Sequence, residues 1–322
     1  MPFRLTEDHL RDLFASSNLQ TSGDEMIFLG LRGCIPANPS SQNIESEHLL
    51  ELVGVDYAHM RCSLVQWRPG SGFALFPGST VPNINAVRSH ISKHGAGVNQ
   101  LSVGYYCGSH AYVAGEHSSA NASRAHRAFR NTSPLPVWRT SDDDDFDGSD
   151  PLSYDVAYDN LHCAWQMNPS MPDYSSNGCQ VVAGRPRVLS RGWDTELGPW
   201  AEFVDRAYAR RQARYSYALF SGREVLALST AAGAYESRNV RFGSSGELVY
   251  VVQDALLKNG FDLGPAGADG ELGWGTLQAV RQVQLKGFGP SGVDLVVGPG
   301  TAKLLGIDWP DRSGSLPPLI AP

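Results

Sequence analysis

The sequence predicts an α+β protein, with a mostly-β body carrying peripheral helices and a small three-helix domain after it. Three observations support that class. Short apolar runs separated by Gly, Pro and Ser turns fill the chain up to about residue 235, the signature of strands joined by loops. The 34 glycines and 20 prolines favour strands and turns over long helices. Beyond residue 246 the apolar spacing becomes helical, with Leu248, Val251, Val252, Ala255 and Leu256 on one stripe.

At 322 residues the chain can hold two domains with a substantial core. We read 1–238 as the body, 239–246 as a Gly/Ser-punctuated linker, 247–309 as the helical domain and 310–322 as a loose Pro- and Ser-rich tail. The amino terminus reads as a short helix capped by Thr6, with Glu7 and Asp8 in its first turn. It shows neither the apolar core nor the small-residue cleavage site of a signal peptide. The expectation is therefore synthesis in the cytoplasm, with any action outside reached by a route not written at this end. Strands are expected at 26–31, 60–67, 72–76, 100–106 and 217–219. A helix over 199–214 presents Trp200, Phe203, Val204, Ala207 and Tyr208 on one face. In the last domain, helices are expected over 247–259, after a cap at Thr276, and after Pro299 with Leu304 and Leu305.

A net charge of −7 disfavours nucleic acid or an anionic membrane as the main partner. No apolar run is long enough to cross a bilayer. The five cysteines, Cys34, Cys62, Cys107, Cys163 and Cys179, are odd in number and scattered, unlike a disulfide scaffold. In the acidic run 141–150, Asp143, Asp145, Asp147 and Gly148 match the first half of a calcium loop. Tyr154 stands where the closing glutamate belongs, so the run reads as a solvated loop. His110, His117 and His126 match no compact zinc spacing and read as structural or cleft-lining residues. No metal ligand and no cofactor is assigned.

The stretch 161–184 carries the chemistry. His162 precedes Cys179 by seventeen positions, and Cys179 ends the tight segment Ser176-Asn177-Gly178-Cys179. A thiol attacks as thiolate, and an adjacent imidazole is the usual means of generating one. Gly178 permits positive φ beside the sulfur, and the neighbouring amides can face a developing oxyanion. Strands over 156–161 and 180–184, joined by a Pro/Ser/Asn loop, would carry base and nucleophile at neighbouring ends. Cys163 would then point to the opposite face.

This His–loop–Ser-x-Gly-Cys pattern resembles the L,D-transpeptidase (YkuD-like) catalytic signature. The resemblance implies that Cys179 is the acylated nucleophile and His162 its base. Gly178 and the Cys179 amide would belong to the oxyanion hole, and Ser176 would brace the loop. Asn177 stands where many members carry histidine, and Val181 where they carry an arginine that seats a substrate carboxylate. Arg185 and Arg187 are the nearest replacements, and with Asn177 they form the expected substrate side. The last domain resembles the peptidoglycan-binding three-helix module (PG_binding_1-like) through Val252-Gln253, Asp269-Gly270, Leu272-Gly273, Thr276 and Val297-Gly298-Pro299 with Thr301. Trp274 is its expected exposed aromatic contact.

Together the two resemblances imply a peptidoglycan-modifying cysteine enzyme acting on stem peptides, as L,D-transpeptidase or L,D-carboxypeptidase. It would work in the periplasm or on the cell wall, including that of a target cell, as an interbacterial effector or a phage-derived lytic protein. A secretion-system component or an immunity protein would be further partners. A non-catalytic wall-binding protein and a cysteine hydrolase of stem cross-links stay open as alternatives.

Overall fold

The period-two alternation of apolar residues builds the body around a single large sheet. The computed structural model describes residues 2–21, 25–94, 98–118, 120–121, 123–140, 143–230 and 238–310. Its strands are β1 (Pro2–Thr6), β2 (Ile27–Arg32), β3 (Cys34–Pro36), β4 (Glu47–Leu52), β5 (Cys62–Trp67), β6 (Phe73–Ser79), β7 (Asn99–Leu101) and β8 (Gly104–Tyr106). Then follow β9 (Val113–His117), β10 (His126–Arg130), β11 (Leu135–Arg139), β12 (Leu152–Asp155), β13 (Leu161–Cys163), β14 (Gln180–Val182) and β15 (Tyr217–Ser221). The helices are α1 (Glu7–Ser16), α2 (Ile84–His94), α3 (Pro199–Ala209), α4 (Gly222–Thr230), α5 (Glu247–Lys258), α6 (Trp274–Phe288) and α7 (Pro299–Leu305).

Nine strands form the main sheet in the order β8-β15-β2-β5-β6-β14-β13-β10-β9, and two three-stranded sheets, β1-β4-β3 and β12-β11-β7, flank it. Within the main sheet β15 pairs parallel to β2 and β13 parallel to β14. Alternate residues go to opposite faces. Phe28, Leu64 and Phe76 join Trp200 and Phe203 of α3 in one core, while Ile27, Leu29 and Val65 pack with Leu10, Phe14 and Val225 of α1 and α4 in the other.

The mixed α+β architecture agrees with the sequence reading, and the differences have local causes. Thr6 does cap α1, accepting from the His9 N–H while His9 Nδ1 accepts from the Thr6 N–H, but a strand precedes it. The strand expected over 100–106 is two, because the chain leaves the β7 sheet at Ser102–Val103 and enters the main sheet. The helix expected to reach residue 214 ends at Ala209, before Arg211 takes positive φ (52°). The strand expected over 156–161 is reduced to Leu161–Cys163, since Tyr158 sits at φ 58° and breaks the extended run.

Segment 239–246 is no free linker. Val240 and Phe242 are buried in the core shared with the body, and Val240 bridges to Val297. Arg241 is wholly buried, donating to Glu224 Oε2 at 2.9 Å with its guanidinium over Phe220. The helical domain is fastened to the body. Arg281 donates to the carbonyls of Gly148 and Asp150 (2.8 and 2.9 Å), so the acidic run reads as a docking loop at its far end. Residues 141–142 of that run and the tail beyond Pro310 lie outside the described residues.

Inside the helical domain, two glutamines perform the same task. Buried Gln253 donates to Asp269 Oδ1, the Glu271 carbonyl and Thr276 Oγ1, and its Oε1 accepts from the Gly270 N–H. Buried Gln284 donates to Asp294 Oδ1, the Val296 carbonyl and Thr301 Oγ1, and accepts from the Leu295 N–H. Each amide peg therefore satisfies the turn that starts the next helix. Thr276 is accordingly not the cap expected of it. Gly273 holds that place, and Thr276 lies inside α6 as a buried acceptor for Gln253. Of the two expected core leucines in α7, Leu305 is buried and Leu304 exposed.

Truncating a peg leaves several buried groups unpaired, at about 1–3 kcal/mol per group. Gln253→Ala and Gln284→Ala should each lower the thermal midpoint markedly, whereas Gln166→Ala, on a half-buried loop position, should change it little. Equal midpoints in calorimetry for the three variants would contradict the pegs' role.

Candidate active site

The site starts from the parallel pairing of β13 with β14, which sets Leu161 beside Gln180, His162 beside Val181 and Cys163 beside Val182. Alternation sends Leu161, Cys163 and Val182 into the large core, so Cys163 faces away from His162 as expected. On the other face Cys179, Val181 and Ala183 pack with Met60, Ala164 and Tyr174. One ring nitrogen of His162 and one of His117 lie within 4.8 Å of each other and of Cys179 Sγ.

The turn that presents the sulfur is fixed by its own side chains. Ser176 Oγ donates to the Cys179 carbonyl at 2.8 Å and accepts the Gly178 N–H at 3.2 Å, so Ser176 does brace the loop. That bond also occupies the Gly178 N–H, which corrects its expected place in an oxyanion hole. Gly178 matters instead for space and conformation. It sits at φ 137°, and a Cβ there would come within 2.7 Å of the Asn99 carbonyl and Asp159 Oδ1. Asn177 is exposed, and its carbonyl accepts from the Asn99 N–H, tying the turn to β7. The thiol donates to the Tyr158 carbonyl at 3.8 Å.

The remaining predicted residues are placed elsewhere. Val181 is fully buried and offers no charge. Arg185 turns its guanidinium over Trp193 at 4.7 Å, and Arg187 is exposed. Trp274 is half-buried and stacks on Tyr154 of the body, with centroids 5.2 Å apart and planes at 11°, so it serves the domain junction rather than an open groove.

The hydrogen bonds assign the imidazole tautomers. A carbonyl only accepts, so His162 Nδ1, 2.8 Å from the Cys163 carbonyl, carries the proton and Nε2 keeps its lone pair. His126 Nδ1 donates to the Arg124 carbonyl in the same way, leaving its Nε2 as acceptor 3.3 Å from His162 Nδ1. The His117 ring lies parallel to that of His162 at 4.2 Å. Position alone hid this cluster. In sequence, His117 and His126 stand nine apart, but the β9–β10 hairpin pairs them directly across strands. His110 is drawn away, bonded to Tyr154 Oη and packed on Phe242.

Burial governs the protonation of the site. It drives His162 well below the usual imidazole range, helped by His117 and His126, and it pushes His117 down to about 4. It pushes the Cys179 thiol up, and the Asp159 carboxyl nearby adds to this. The resting pair is therefore neutral thiol and neutral imidazole, not the preformed thiolate that the sequence suggested.

Asp159 is the residue that sequence reading missed. It is buried, with Oδ1 accepting from Asn99 and Oδ2 given no partner among the described residues, and burial raises its carboxyl to about 7. Nothing in its local sequence marked it, because burial comes from the loop that Tyr158 bends. No metal ligand is legible in the sequence, yet the His117–His162–Cys179 donor set would suit a soft divalent cation, and Asp145, Asp147 and Asp150 form a second, harder group.

Comparison with known proteins covers only part of the chain. Residues 245–305 match the family model "Putative peptidoglycan binding domain". This agrees with the resemblance read from the Val-Gln and Asp-Gly-x-Leu-Gly motifs. A type VI secretion system spike protein, VgrG3, of Vibrio cholerae serotype O1 is 44% identical over 78 residues, covering 21% of this chain and 7% of that protein's length. No solved structure matches the chain. Among the described residues, no helix is long and apolar enough to cross a membrane.

Two outcomes test the electrostatics. A carboxyl whose folded pKa (about 7) exceeds its unfolded value (about 4) contributes stability that is fully present below the lower value. That contribution is lost as pH rises through the higher one. Asp159→Asn should thus be stabilising at pH 8 and near neutral at pH 4 in thermal melts. A pH-independent difference would contradict the burial. Second, alkylation of Cys179 by iodoacetamide should rise steadily from pH 6 to pH 9. A plateau near neutrality would reveal a preformed ion pair instead.

Proposed function

We propose that this chain is a peptidoglycan-modifying cysteine enzyme of L,D-transpeptidase or L,D-carboxypeptidase type, anchored to its substrate by the domain at 245–305. The observation that carries the catalytic part is the β13–β14 pairing, which brings a His162 ring nitrogen within 4.8 Å of Cys179 Sγ. Nδ1 is committed to the Cys163 carbonyl, so Nε2 is the nitrogen free to act as base. The matched domain supplies the peptidoglycan context.

In the proposed reaction Sγ bonds to the carbonyl carbon of a stem peptide, and the thiol proton passes to His162 Nε2. The carbonyl electron pair moves to oxygen, and its return expels the terminal D-residue as an amine that takes the proton back from His162. A second stem amine or water then attacks the thioester carbon and gives its proton to His162, and the C–S bond breaks, the sulfur recovering that proton as cross-link or trimmed stem is released. Binding to the wall raises the local concentration of stems rather than altering the chemistry. The short match to a type VI spike protein supports delivery into a target cell's periplasm through such a machine, with a secretion component and an immunity protein as partners.

A second reading, a wall-binding protein without catalysis, draws on Cys179 being only 7% exposed and on Val181 occupying the expected arginine position. The variants separate the two. Cys179→Ser should abolish muropeptide processing while full-length protein still pellets with sacculi. His162→Ala should slow processing by about a hundredfold or more. Cys163→Ala should retain activity. Product analysis by mass spectrometry that finds no Cys179-dependent change in muropeptides would leave the binding reading standing.

A further inference from the structure

His117 occupies a place in the site that a base–nucleophile pair does not account for. It is half-buried, whereas His162 and Cys179 are buried, so it stands on the solvent side of the pair. Its ring is held flat against His162 at 4.2 Å and 14°. Its protonation pattern is fixed through a relay of amides. The Asn131 N–H donates to Asn160 Oδ1 at 3.0 Å, which settles the orientation of the Asn160 side-chain amide. Asn160 Nδ2, a donor, then lies 2.9 Å from His117 Nδ1. Nδ1 therefore accepts, and the neutral ring carries its proton on Nε2. Asn131 and Asn160 are both buried, so solvent does not compete for these bonds. The outcome is a fixed N–H on a ring that has a nitrogen within 4.8 Å of Cys179 Sγ, in a site where the Gly178 N–H is already taken by Ser176.

We propose that His117 is a catalytic residue whose Nε2–H donates to the oxygen of the carbonyl attacked by Cys179, with Asn160 as the positioning residue that sets its tautomer. This rests on the enzymatic reading above. As Sγ bonds to carbon, the carbonyl pair becomes an oxyanion, and a fixed donor favours that state over the ground state. His162 still receives the thiol proton. The two stacked rings thus divide the work, one accepting a proton through Nε2 and the other donating a hydrogen bond through Nε2.

The test compares two reactions of the same sulfur in the full-length protein. Acylation by a carbapenem, followed by intact mass, passes through an oxyanion. Alkylation by iodoacetamide displaces iodide at a methylene carbon and forms none. His117→Ala should slow acylation by about 10²–10³-fold, the scale of a lost oxyanion donor, with alkylation at pH 8 unchanged or faster. His117→Gln, which retains an N–H, should recover part of the loss, and Asn160→Ala should show the same split more weakly. Alkylation that spares Cys34, Cys62 and Cys163 confirms that each variant is folded, since those three thiols are buried. Parent and His117→Ala acylating at equal rates would overturn the assignment of His117 alone. Equal slowing of both reactions would overturn it too, by making His117 part of the base machinery. A parent chain that is never acylated on Cys179 would overturn the enzymatic reading itself.

Discussion

The parallel pairing of β13 with β14 is the constraint on which the site depends. Three residues on each strand fix the register, and one step of slippage would exchange the faces. His162 would then enter the core beside Val182, and Leu161 and Cys163 would leave it for the face of the turn. The flanking antiparallel partners, β6 beside β14 and β10 beside β13, hold both strands in the sheet interior. Burial on both sides therefore enforces a register that so short a pair could not hold alone.

The same burial sets the chemistry. A thiol and three imidazoles removed from water all favour their neutral forms, so neither the sulfur nor the rings carry charge at rest. Hydrogen bonds then distinguish groups that burial treats alike. The Cys163 carbonyl leaves His162 a lone pair, while the Asn131–Asn160 relay leaves His117 a proton. The charge of the Asp159 carboxylate, beside the turn, pushes the thiol further toward its neutral form.

The carboxy-terminal domain repeats one device, a buried glutamine pegging the turn before the next helix, and spends its aromatic and basic side chains on the body. Trp274 on Tyr154 and Arg281 on the 148–150 loop make the junction a packed interface, so the peptidoglycan-binding domain and the proposed catalytic body keep a defined mutual orientation. Segment 239–246 belongs to that interface because its alternate residues are apolar. Glycine and serine composition suggested a linker, but Val240, Phe242 and the ion-paired Arg241 give it a reason to be buried.

By itself the sequence determined the α+β class, the α1 cap at Thr6, the helical domain with its Val-Gln and Asp-Gly motifs, and the candidate pair His162 and Cys179. Each of those is encoded locally, in spacing, capping chemistry or a contiguous motif. Tertiary structure alone decided the rest. His117 reaches the site across a hairpin, Asp159 becomes buried because Tyr158 turns the chain, and Arg185 lays its guanidinium over Trp193. The protonation of Cys179 and His162 belongs to this second group. A pKa follows from what surrounds a group in space, and that environment comes from strands distant in the chain.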